Sequence, residues 1–251
     1  MEDSDYFKDT GSTGSIRIGL LNTSYLASAI AMLAASPQPF VENLFGSGLD
    51  DYKKYGIFTC RFYKNGKWTD VICDTRLPCS VEEEGEEVRS SLCYTSAADP
   101  REVFVPFIEK AYAKLHGTYE SLNKGSIAET LVDLTGGSCD KISLKTDKVK
   151  SAINSGFLWD EIVSFHTKDY VMGCSVSDNT AITEVGEGTF GLMKNVAYPI
   201  LDVKEVQAST GLMKVRSGEG RGGAKRGAEK ARVRRYRRTS PILPYAKSPS
   251  N

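Results

Sequence analysis

Histidine is scarce here: His116 and His166 are the only two in 251 residues. That excludes chemistry built on several imidazoles. The six cysteines (Cys60, Cys73, Cys79, Cys93, Cys139 and Cys174) contain no C-x-x-C pair. Their spacing suits neither a zinc site nor a disulfide framework, and reduced, mostly buried thiols are expected. No apolar run approaches the ~20 residues that a membrane helix needs. The opening MEDSDYFKDT is acidic and polar, unlike a secretory signal or a transit peptide. Residue 2 is Glu2, not the glycine that myristoylation requires. The cytoplasm is therefore the expected compartment.

Charge of one sign is missing only on average. The formal net charge is zero, from 32 basic and 32 acidic residues. Residues 214–251 hold 12 Lys/Arg against 2 Asp/Glu, a net of +10. Subtraction leaves 20 basic and 30 acidic residues in 1–213, a net of −10. An acidic body with a basic tail is the pattern of a chain that meets anionic surfaces through its tail.

Within the body, a Gly/Ser-rich lead at 11–15 precedes a helix expected from Tyr25 to Ala35. That helix is apolar nearly all round, so most of its faces should be buried. Asn22, Thr23 and Ser24 can each cap its start, and SPQP at 36–39 ends it. YGIFTCRFYKNGKWTDVICD, at 55–74, reads as a hairpin turning at Asn65-Gly66, where both turn residues need positive φ. VEEEGEEVR, at 81–89, reads as a solvated loop. From Arg101 to Leu122 the apolar residues Phe104, Phe107, Ile108, Ala111, Tyr112 and Leu115 follow helical spacing. Ser126 and Glu129 have capping-box spacing before a short helix that TGG stops at 135–137. A further helix is expected over Asp147–Asn154, then strands at 170–177, 196–203 and 212–216. Helices leading and strands following is the order of an α+β fold. The segment after Arg216 has little apolar surface to offset ordering and reads as a disordered tail. Its Gly218-x-Gly220-x-x-Gly223 lacks the following helix that a phosphate loop requires.

Several stretches together resemble the calpain family. YGIFTCRFYKNGKWTDVICDTRLP is similar to that family's G-I-F, hairpin and D-x-R-L-P run. IEKAYAKLHGTYESL is similar to its E-K-A-Y-A-K-x-x-G-x-Y-E-x-L helix, and DLTGG to the motif closing its first lobe. MGCSVS, AIT and AYPILDV resemble strands of its second lobe. The resemblance runs from about Gly19 to Arg216, and the short format resembles the small calpain-like proteins of kinetoplastid protists. It implies a papain-like two-lobe core. The helix-rich first lobe would span 19–137, after a lead at 1–18. A truncated, antiparallel β second lobe would span 138–216, followed by the basic tail at 217–251.

The resemblance also implies the chemistry of a calcium-dependent cysteine peptidase. A thiolate at a helix N-terminus attacks the amide, histidine moves the proton, asparagine orients that ring and glutamine supports the oxyanion. The family's Q-G-x-x-G-D-C-W falls on residues 18–25, which puts Ser24 at the nucleophile and Ile18 at the oxyanion glutamine. G-H-A-Y falls on 195–198, so Val196 replaces the base. R-N-P-W-G falls on 216–220, so Ser217 replaces the asparagine. A serine hydroxyl is a weak acid and needs a positioned base, yet both histidines fall outside the triad pattern. The expectation is an inactive homologue that binds proteins or peptides, with cytoskeletal partners among the candidates. Residual hydrolysis and a basic-tail interaction module are the alternatives. No cofactor is expected. Calcium enters only through Glu109, which matches one family ligand position with Asp9 near the same loop. One carboxylate does not make a site for an ion that wants six to eight oxygens. The tail could contact nucleic acid, anionic lipid or acidic tubulin tails. It could equally come from a shifted reading frame.

Overall fold

The computed structural model describes residues 16–46, 51–84, 87–99, 101–176, 195–204, 214–217 and 242–247. The acidic lead with Asp9, the AIT stretch and most of the basic tail lie outside them.

In chain order, a short β1 (Ile16–Arg17) leads into α1 (Ser24–Ala34) and α2 (Asp51–Tyr55). The hairpin β2 (Ile57–Lys64) and β3 (Lys67–Asp74) is followed by β4 (Cys79–Glu84), β5 (Glu87–Leu92) and β6 (Ser96–Ala97). Next come α3 (Phe104–His116), α4 (Ile127–Thr135), β7 (Ser138–Ser143), α5 (Asp147–Ser155) and α6 (Phe157–Thr167). The chain closes with β8 (Val171–Ser175), β9 (Ala197–Lys204), β10 (Lys214–Ser217) and β11 (Ile242–Lys247). The fold is α+β, and every described strand pair is antiparallel.

Several expectations hold for stated reasons. The β2–β3 turn takes φ of 53° at Asn65 and 79° at Gly66, as a tight hairpin demands. Helix α1 buries nine of its eleven residues, leaving only Ala31 and Ala34 half-exposed. It packs against β8, β9, α3 and α4, and so forms the axis between the helical part and the large sheet. Its apolar side chains join one core with β2, β3, α3 and α4, in which Phe58 stacks on Phe107 with ring centroids 4.2 Å apart. Gly136 stops α4 at φ +67°, the left-handed cap that glycine accepts without strain.

Other expectations need correcting. Residues 81–89 are not a loop: β4 and β5 pair from Cys79↔Leu92 to Glu84↔Glu87, with Glu82 opposite Arg89. Ser126 stands at the start of α4, yet no side-chain capping bond forms. The tail assigned to 217–251 is not wholly unstructured. Ser217 ends β10, and β11 lies between β7 and β8 in a five-stranded sheet ordered β10-β9-β8-β11-β7. ILPYAK pairs on both edges without apolar alternation and with a proline in it, so its sequence does not announce a central strand. Strand β7 and helix α6 were also hidden, since neither has a clean apolar period.

The motifs that carry the resemblance meet one another through α3. Lys110 Nζ donates to the Asp74 carboxylate at 2.8 Å and the Asp74 carbonyl at 2.9 Å, fastening the D-x-R-L-P turn. Lys114 Nζ donates to the Ile72 carbonyl at 2.6 Å. Tyr112 donates to Asp133 of DLTGG at 2.7 Å, and Lys64 pairs with the same carboxylate. One helix thus holds the hairpin on one side and α4 on the other. No helix among the described residues is long and apolar enough to cross a membrane.

Candidate functional site

Two distant segments converge on the first turn of α1. Thr23, the residue before it, is buried, and its hydroxyl meets that of Thr95 at 3.1 Å. Thr95 is in turn held by Glu109 of α3, whose Oε2 accepts from the Thr95 N–H at 2.7 Å while Oε1 accepts from its hydroxyl. A Thr23 hydrogen bond also helps to stabilise the Glu109 carboxylate. Burial pushes the Glu109 carboxyl above its ordinary range, and the threonine bonds pull it part of the way back. Glu109 is therefore the buttress beneath the α1 N-terminus.

Among the described residues, the Glu109 carboxylate serves as the acceptor for Thr95. Both carboxylate oxygens are taken by Thr95, and Glu109 is buried. Among the described residues, no three His, Cys, Asp or Glu side chains cluster closely enough to share an ion. Calcium seeks a ring of oxygens, and Thr95 supplies hydrogen-bond donors instead.

Above the buttress lies a cleft of about 280 Å³ between the start of α1, the loop into α4, the end of β8 and the start of β9. Ser24 and Val196 both line it. The Ser24 hydroxyl accepts from the Ala197 N–H at 3.4 Å and donates to Asn22 Oδ1 at 3.4 Å. Ser28, one turn on, donates to the Ala197 carbonyl at 2.7 Å, so β9 is tied to α1 at two points. Ser24 thus meets the residue next to Val196 across 173 residues of sequence.

The other two do not join them. Ile18 is half-exposed and lines a separate, wider groove of about 1420 Å³ beside Arg76 and Tyr94. Ser217 falls opposite Ile200 in the β9–β10 register, well along β9 from Val196. Neither histidine lines the cleft. The ring of His116 packs on Tyr112 and its Nδ1 meets the Tyr112 carbonyl at 2.9 Å. His166, in the last turn of α6, sits 3.4 Å from Asp202. None of the six cysteines lines the cleft either. Burial alone holds the Cys174 thiol up at about 11, so it stays protonated near neutrality.

Sequence reading missed Asn22, Lys124, Lys141 and Asn195 as residues of this cleft. Asn195 and Lys124 carry positive φ, 58° and 90°. Only the dipeptide Lys124-Gly125 hinted at an unusual turn there. Chemically, the cleft offers amide, hydroxyl and ammonium groups, with no imidazole or carboxylate among its lining residues. Among the described lining residues, none carries a group that takes up a hydroxyl proton at neutral pH.

An α+β scaffold whose helix N-terminus faces a sheet across a narrow cleft is the architecture of papain-like peptidases. Comparison with known sequences narrows this further. The profile of the calpain family of cysteine proteases matches residues 1–223, and the chain belongs to that family. It is 33% identical over 156 residues to "Calpain-type cysteine protease DEK1" of Arabidopsis thaliana, covering 62% of this chain and 7% of that protein. It is 29% identical over 224 residues to mouse "Calpain-5", covering 84% and 33%. It is 33% identical over 214 residues to mouse "Calpain-10", covering 82% and 30%. The chain spans a third or less of the length of each of these relatives.

Proposed function

We propose that this chain is a catalytically silent member of the calpain family whose cleft binds a polypeptide partner without cutting it. One observation carries the reading. The hydroxyl of Ser24 faces the backbone of Ala197 beside Val196, and both histidines of the chain are engaged elsewhere. Attack on an amide needs a nucleophile stripped of its proton. A serine hydroxyl parts with that proton only to a base held within hydrogen-bond reach. Asn22 Oδ1 is an amide oxygen and cannot serve. What the cleft retains is shape and hydrogen-bonding capacity, which suit capture rather than turnover. Cytoskeletal proteins in the cytoplasm are candidate partners.

The experiment is incubation of the pure chain with casein and, separately, with a fluorophosphonate probe. The expected result is no cleavage and no label on Ser24. Casein cleavage that disappears in a Ser24→Ala variant overturns the reading.

A second reading locates function in the basic tail, favoured by the concentration of 12 basic against 2 acidic residues in 214–251. Deleting the whole tail would not separate the two, because it removes β11 from the sheet. Replacing Arg234, Arg235, Arg237 and Arg238 by glutamine keeps the strand. Loss of partner capture in that variant supports the tail, and retention supports the cleft.

A further inference from the structure

We propose that the cleft selects its peptide by charge and takes acidic segments. This inference rests on the peptide-binding reading above and goes beyond it by naming the class of ligand. Two lysines, Lys124 and Lys141, line the cleft, one from the loop before α4 and the other from β7. Among the described residues, no aspartate or glutamate lines it. Both lysines are exposed, and neither has an ion-pair partner among the described residues.

The position of Lys124 is built rather than incidental. Its backbone sits at φ 90°, a region that side-chain-bearing residues rarely enter and that costs strain unless the surroundings impose it. Here they do. The Lys124 N–H donates to the Asn22 carbonyl at 3.4 Å, and the Asn22 N–H donates to Asn123 Oδ1 at 3.2 Å. Tyr25 donates to the Leu122 carbonyl at 2.9 Å. Gly125 lies so close to the Tyr25 ring that an added Cβ would come within 2.4 Å of it. The loop is therefore clamped to the first turn of α1, and the ammonium group is presented at the rim of the cleft. Strain kept in this way at a cleft wall points to use. Helices α1 and α4 also both begin here without a side-chain acceptor on their first N–H groups, which adds positive potential to the same space.

The body as a whole opposes this preference, since residues 1–213 carry a net of −10. Long-range attraction therefore cannot bring an acidic peptide in. Selection has to come from short-range contacts at the cleft, well within a Debye length of ~8 Å, where salt screens them least. At about 280 Å³ the cleft accommodates side chains of an extended segment and not a folded surface. A Glu or Asp of that segment meets Lys124 and Lys141, while Asn22 and Asn195 are placed to meet its backbone.

The test uses the full chain with the four tail arginines Arg234, Arg235, Arg237 and Arg238 changed to glutamine, so that the tail does not mask the cleft. Fluorescein-labelled decamers of alternating Glu-Ala, Gln-Ala and Lys-Ala are titrated by fluorescence anisotropy. The Glu-Ala peptide is expected to bind about tenfold tighter than Gln-Ala, with Lys-Ala weakest. Adding Lys124→Gln and Lys141→Gln should erase that difference. Both changes are at exposed positions, and circular dichroism checks that the variant is folded. Equal binding of Glu-Ala and Gln-Ala, or a preference that survives loss of both lysines, overturns the charge selection alone. Failure of every peptide to bind overturns the peptide-binding reading together with it.

Discussion

The Ala197 N–H donates to the Ser24 hydroxyl at 3.4 Å, which joins the first residue of α1 to the first residue of β9. The residue before Ala197 is Val196, which lines the same cleft as Ser24, just ahead of a strand that Ser28 also ties to α1.

That proximity can be measured with a thiol. In Ser24→Cys, alkylation of residue 24 by iodoacetamide, followed by peptide mapping, should be slow near neutrality. Adding Val196→His should lower the apparent thiol pKa by about one unit or more, because an imidazolium beside a helix N-terminus stabilises thiolate. An unchanged pH profile would mean that positions 24 and 196 do not face each other. Peptide cleavage by the double variant is not expected, since Ile18 and Ser217 are not arranged around it.

Glu109 makes a prediction about pH. Burial holds its carboxyl above the ordinary value of 4.5 in the folded chain. A carboxyl raised in this way stabilises the fold fully below its unfolded value, and that contribution is lost as pH rises through the folded value. Glu109→Gln removes this dependence. The Tm of Glu109→Gln relative to the parent should therefore become more favourable as pH rises from below 4.5 towards neutrality. The opposite trend, or a calcium-dependent rise in Tm seen only with Glu109 present, would show an anionic ligand position instead.

Gly125→Ala should be among the costly single changes on the surface. The new Cβ meets ring atoms of Tyr25 at 2.4 Å, and that ring is fixed by its bond to Leu122. Overpacking of this kind costs about 1–3 kcal/mol. Thermal unfolding should show the loss, and Tyr25→Leu should recover part of it by removing the ring.

Strand β11 can be tested by shortening the chain. Ending it after residue 241 exposes the facing edges of β7 and β8, which β11 pairs along six and three register positions. With each lost backbone bond worth about 0.5–1.5 kcal/mol, the loss should reach the order of 3 kcal/mol. Light scattering should also rise, since open strand edges invite pairing between copies. An unaltered Tm would mean that β11 contributes nothing to the sheet.

Tyr112→Phe isolates one bond of the α3 hub. It removes a donor from Asp133, which is 6% exposed and shared with Lys64. The expected cost is about 1–2 kcal/mol by denaturant titration. It should be smaller in a Lys64→Met background if the two donors act together.

Much of the local structure was legible because it depends on neighbours in sequence. Asn65-Gly66 supplies the positive φ values of a hairpin, Gly136 ends α4, and the apolar spacing of 104–115 marks a buried helix face. The β4–β5 hairpin was hidden because its segment is mostly acidic and lacks apolar alternation, and its register exists only between the paired strands.

Tertiary structure alone decided the rest. That Glu109 supports Thr95 and Thr23, and that Lys124 and Lys141 share one cavity, follows from contacts between segments far apart in sequence. That ILPYAK completes a sheet in the middle of the fold follows the same rule. A chain written in one dimension shows which groups are available. Which of them become neighbours depends on how helices and strands bury their apolar faces against one another, and no short window of sequence contains that information.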